Sequence, residues 1–197
     1  MRVKTNMLAA TSLLAIISGC AEAPLPNNAI TATHGSGNYL ESVDFSYQSG
    51  RPIPFSQVKL CVAKTISDDA VSLGDTAGSF ASNGGQYYQN NRTQVIQGGG
   101  VFKYVDDANS TLIAKGTVSG GAVAFGLTTE FVKFELEAAV RGNAVTLSFS
   151  KISRAQQNTG TLGNDGFSPV GTWSGAGSKQ VYDAVEGVAD KIKGCLR

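Results

Sequence analysis

Few residues in this chain of 197 carry reactive side chains at a spacing that chemistry could use. His34 is the single histidine, and the three cysteines stand at 20, 61 and 195. A serine or cysteine nucleophile needs a base within hydrogen-bond reach and a third group to orient it. One histidine, in a stretch rich in Pro, Asn and Gly, does not supply that, and no CxxC spacing offers a zinc site. Carboxylates remain. A two-carboxylate hydrolase acting on glycan would draw on Asp68-Asp69, Asp75 or Asp106-Asp107, all in turn-like contexts where solvation and turn chemistry account for the residue type. Glu135 and Glu137 share a strand face with Lys133, a solvated pattern. Gly98-Gly99-Gly100 lacks the GK[ST] and strand-to-helix setting of a phosphate loop. The expectation is no enzyme, no cofactor and no metal.

Binding offers more. Tyr87 and Tyr88 sit together in the irregular stretch 67–99, where exposed aromatics would give rigid contact area and packed ones would add to the core. Trp173, in "GTWSGAG", is the single tryptophan: a stacking platform for a sugar or peptide, or a core residue under a loop. With 16 basic against 15 acidic residues, formal net charge +1, there is no electrostatic case for nucleic acid.

The elements that must position these residues read as a β-rich domain. In "YLESVDFSYQ" the apolar residues alternate, and Pro52 and Pro54 then interrupt the chain. "QVKLCVAKTI" reads as a strand, with Val58, Leu60 and Val62 on one face and Cys61 on the other. Val71–Leu73 and Thr93–Gln97 are expected to pair as short strands. From residue 100 hairpins follow one another. "VFKYV" and "STLIAKGTV" flank a turn at 106–109. A two-residue turn is expected at Gly120-Gly121. "FVKFELEAAV" and "AVTLSFSKI" are joined at 141–143. In the last pair Val132, Phe134, Leu136, Ala138 and Val140 make a dry face with Val145, Leu147 and Phe149, as in an antiparallel sheet covered on one side. Val181, Val185, Val188, Ile192 and Cys195 form one helical stripe over 179–196, with Ser178 as its cap. The fold class is therefore α+β, a meandering antiparallel sheet with a C-terminal amphipathic helix packed on one face. A β-sandwich with a peripheral helix is the alternative.

The N-terminus opens with Arg2 and Lys4, then an apolar core from Met7 to Ile17 that is too short for a span of ~20 residues. It ends in Ile17-Ser18-Gly19-Cys20, which resembles the lipobox of bacterial lipoproteins. The resemblance covers the first twenty residues or so, with Ile17 where Leu is usual. It implies a signal peptide over 1–19, cut before Cys20, whose sulfur carries diacylglycerol and whose amine takes a further acyl chain such as palmitate. Several acyl chains together anchor stably, at about 0.8 kcal/mol per buried methylene. Ala21 stands where an Asp would mark inner-membrane retention, so the outer membrane is favoured over the inner. With Cys20 lipidated, Cys61 and Cys195 are left as an even pair in the oxidising periplasm, which implies a disulfide. Residues 20–38 then form a lipidated tether that includes His34, and 39–197 a single domain. The function expected is that of a noncatalytic envelope lipoprotein with a protein partner, held to the membrane through Cys20. The alternative is a periplasmic or surface ligand-binding module using Tyr87, Tyr88 and Trp173.

Overall fold

The computed structural model describes residues 24–197. The lipobox and Cys20 lie outside the described residues. The strands, in chain order, are Ala29–His34 (β1), Gly37–Gln48 (β2), Val71–Asp75 (β3), Phe80–Ala81 (β4), Tyr87–Tyr88 (β5), Arg92–Ile96 (β6), Phe102–Asp106 (β7), Thr111–Val123 (β8), Thr128–Arg141 (β9), Ala144–Gln156 (β10) and Ser168–Pro169 (β11). The helices are Phe55–Thr65 (α1) and Ser178–Leu196 (α2). The fold is α+β, as the periodicity implies.

The main sheet is antiparallel in the order β1-β2-β10-β9-β8-β7, with β11 alongside β10. Its dry face is the one the alternation defines: Val132, Phe134, Leu136 and Ala138 of β9 and Val145, Leu147 and Phe149 of β10 are all buried. Both helices cover that face. Val181, Val185, Val188 and Ile192 of α2 join Val58 and Val62 of α1 in one core cluster with these strand residues. A smaller cluster of Val71, Leu73 and Ala155, with Ile96, Phe131 and Phe167 against it, lies where the paired β3 and β6 pack on the main sheet.

Four expectations are corrected. "QVKLCVAKTI" is helical: Leu60 is exposed, while Val58, Cys61 and Val62 are fully buried, the spacing of a helix face rather than a strand face. Pro54, extended at φ −64° and ψ 134°, sets the start of this helix. The segment expected as a tether contains β1, whose β-branched Ile30, Thr31 and Thr33 pair with β2 across a turn at Gly35 (φ +62°). His34 therefore ends a strand, exposed, 3.2 Å from Glu41. Gly120-Gly121 is not a hairpin turn but a bulge within β8, between Ser119 and Gly121 in the pairing with β9; the chain reverses at 124–127. Ser178 does not cap α2. Gly177 (φ +79°) holds the N-cap position, and Ser178 is the first helical residue, buried, with its Oγ unpartnered among the described residues.

Cys61 and Cys195 are joined in a disulfide. Because Cys61 lies on α1, the bridge fastens helix to helix rather than helix to strand.

Candidate functional site

Glu130, fully buried, and Arg154, partly exposed, form an ion pair where β9 and β10 run beneath the start of α2. Arg154 Nη1 lies 2.8 Å from Glu130 Oε1. Glu130 is fully buried, and among the described residues its Oε2 has no hydrogen-bond partner. Burial pushes this carboxyl above its ordinary value, and the Arg154 guanidinium pulls it partly back.

The backbone explains how these two side chains meet. Along β10 the odd residues Val145, Leu147 and Phe149 are buried in the core beneath the helices. Between Ser150 and Ser153 the register against β9 shifts, and Lys151 takes φ +51°. Beyond this bulge the parity inverts. Ile152 joins the main core, while Ala155 joins the smaller one. Arg154 then stands opposite Val132, and Gln156 opposite Glu130, so Arg154 points to the same side as Glu130. The helix end fits closely around it: a Cβ on Gly177 would lie 2.3 Å from Arg154 Nη1.

A hollow of about 310 Å³ opens over the pair, lined by Glu130, Arg154, Gln156, Asn164, Asp165 and Ser168 among others. Its outer wall is fixed by Asn164, whose Nδ2 donates to Gly74 O (3.1 Å) and Gln156 O (2.9 Å). The Asn164 backbone N–H donates to Asp75 Oδ2 at 3.0 Å, and that of Ala77 to Asp75 Oδ1 at 2.9 Å. These two bonds hold the Asp75 carboxyl below its ordinary value. On the other side of Asn164 and Asp165 is a second hollow of about 200 Å³, reaching Asp75 and Arg92.

The carboxylates singled out in the sequence are not brought together. Asp68 is buried against Lys115 (Nζ to Oδ2, 2.8 Å). Asp69 is exposed. Asp75 serves the loop just described. Asp106 accepts from Asn109, whose hydrogen bonds hold it below its ordinary value, and Asp107 pairs with Lys59 at 2.6 Å. Glu135 takes both Lys103 (2.7 Å) and Lys151 (2.9 Å), whose hydrogen bonds lower it, while Glu137 is exposed. Lys133 lies over the Phe167 ring rather than on a carboxylate.

The aromatic candidates fall at two separate places. Tyr87 and Tyr88 form β5, paired with β4 in a two-stranded sheet, and Tyr88 stacks on Phe80 at 5.1 Å between centroids. Phe80, Tyr87 and Tyr88 are 59%, 60% and 50% exposed. Trp173 is instead part of a small aromatic group at the β1–β2 end of the sheet, edge-on to Tyr39 at 5.6 Å, with His34 beyond at 6.0 Å from Tyr39.

Glu130 and Arg154 were not among the residues the sequence singled out. A signal for Glu130 was there: the dry stripe Val132, Phe134, Leu136 continued two residues back lands on Glu130. Arg154 had none, because the bulge hides its parity.

No family model matches the chain, and no curated protein matches it. Among solved structures it is similar to the crystal structure of a DUF4468 family protein from Bacteroides ovatus ATCC 8483. The identity is 12%, over 88% of this chain and 83% of that one, with a TM-score of 0.34. A likeness at that level carries no argument about function.

Proposed function

We propose that this protein is a lipid-anchored envelope protein that works without catalysis, as an accessory component contacting a protein partner. The observation that carries the reading is the β4–β5 hairpin. It displays Phe80, Tyr87 and Tyr88, and none of the three belongs to either hydrophobic core. Clustered exposed aromatics leave apolar area in water that a partner would cover, and rigid rings lose little entropy on docking. Phe125 and Leu127, at the β8–β9 tip, add two more exposed apolar side chains. The Ile17-Ser18-Gly19-Cys20 segment supports the anchor through its likeness to a lipobox. That likeness supports an envelope location, with the outer membrane favoured over the inner.

A photo-crosslinking residue placed at Tyr87 in cells tests the partner directly. A discrete adduct, weakened about tenfold by Phe80→Ser together with Tyr88→Ser, is the expected result. The absence of any adduct would remove the reading. Cys20→Ser tests the anchor separately, and is expected to shift the protein from the membrane to the soluble fraction and to change its mature mass.

A further inference from the structure

We propose that the hollow over Glu130 and Arg154 binds a small, neutral, hydroxyl-rich ligand of the carbohydrate class. The site goes beyond the partner surface above and shares no residue with it.

The argument starts from an unsatisfied group. A fully buried carboxylate that keeps one oxygen without a partner is costly, because the desolvation penalty stays uncompensated. Glu130 Oε2 is such an oxygen, sealed in the wall of the hollow beneath Arg154, so the groups a ligand meets directly are Arg154 and the side chains around it. Beside it, Arg154 has Nη1 engaged on Glu130 but is 27% exposed, with further guanidinium N–H donors available. Gln156, Asp165 and Ser168 line the same space, and among the described residues no hydrogen bond ties down their side chains.

These groups select the ligand by elimination. A metal cation would meet the fixed positive charge of Arg154, and among the described residues no three His, Cys, Asp or Glu side chains gather to hold one. A simple anion would meet Glu130 and Asp165. An apolar ligand would strip water from this polar lining without replacing its hydrogen bonds. A zwitterion would have to compete with the existing ion pair for both of its charges. A hydroxyl, by contrast, can donate to a carboxylate oxygen while accepting from a guanidinium, and neither partner need lose its counter-charge. A sugar presents several such groups on a rigid ring. The volume, about 310 Å³, lies at the small end of ligand pockets, which run ~300–1,000 Å³.

The test is a titration of the purified full-length protein, followed by calorimetry and amide chemical shifts. The sugar probes are hexoses, N-acetylhexosamines and their disaccharides. Glycine, glutamate and inorganic phosphate represent the rival chemistries. The expected result is saturable binding of at least one sugar, with shifts centred on residues 130, 154–156 and 164–168. Asp165→Ala, on an exposed loop, and Ser168→Ala should each weaken binding about tenfold at an unchanged Tm. Glu130→Gln should weaken it at least as much, and the two loop variants keep the proposal testable if that one fails to fold. Saturable binding to none of the sugars overturns the proposal. So does binding of an amino acid or phosphate at these residues without any sugar. A sugar response that both loop variants leave unchanged also overturns it, because the ligand would then sit elsewhere.

Discussion

The ring of Trp173 lies across Gly171 so closely that a Cβ there would be 2.2 Å from Cη2 and 2.3 Å from Cζ3. Gly171 bridges to Tyr39 on β2, and Thr172 N–H donates to Asn38 O at 3.0 Å, so the backbone beneath the ring is tied down. Gly171→Ala must therefore move the ring rather than the chain. We expect a loss of about 1–3 kcal/mol, the usual cost of overpacking, and a shift of tryptophan emission to longer wavelength. Trp173 is the single tryptophan, so the emission reports this site alone. Gly187→Ala, in the middle of α2 with nothing within 4 Å of the added Cβ, is the control and should raise stability by about 0.5–1 kcal/mol. Unchanged emission in the first variant would contradict the packing described.

The bridge between α1 and α2 gives a second outcome. Cys61 is fully buried, whereas Cys195 is an exposed residue near the end of α2. Replacing both cysteines by alanine should lower stability by about 2–4 kcal/mol in urea denaturation. Amide exchange should quicken more in α1 than in β9 and β10, because the strands keep their ladder on both sides. Equal stability with and without the bridge would show that it does not constrain the fold.

Two carboxyls near the hollow should give opposite pH dependences. Asp75 is lowered from 3.8 by the backbone N–H groups of Asn164 and Ala77. Its contribution is fully present above 3.8 and is lost as pH falls through its lower folded value. Glu130 is raised from 4.5, chiefly by burial. The folded state then holds its proton more tightly than the unfolded chain, so stability declines as pH rises from 4.5 through the higher folded value. Denaturation across acid pH, comparing Asp75→Asn and Glu130→Gln with the parent, separates the two. Each variant should remove the slope of its own sign, and the Asn164 amide resonance should follow Asp75.

How much of this could be read from the sequence depended on which periodicity was unbroken. The β9–β10 hairpin and the α2 stripe were legible because Val132 to Val140 and Val181 to Ile192 repeat without interruption over many residues. The stretch around Cys61 misled because Val58, Leu60 and Val62 alternate as a strand would. In that short, β-branched run only tertiary contact decides the outcome, and burial of Val58, Cys61 and Val62 against the sheet does so. β1 was obscured by its neighbours: Pro24, Pro26, Gly35 and Gly37 around six residues read as linker composition. Tyr87 and Tyr88 were legible as candidates but not as exposed ones, since their burial depends on a two-residue pairing with Phe80-Ala81.

The shift at Ser150–Ser153 also bears on how this chain can change over time. Before it β10 adjoins β2; beyond it the strand leaves that partner and takes Ser168–Pro169 instead. The strand is thus two reading frames joined at one extra residue. Substitutions that suit the interior in the first frame must fall on odd positions, and in the second the same helix-facing side takes even ones. Loss of that one extra residue would straighten β10 and merge the two frames, yet Arg154 would still stand opposite Val132 and Gln156 opposite Glu130, so the sheet can lose the bulge without losing the ion pair.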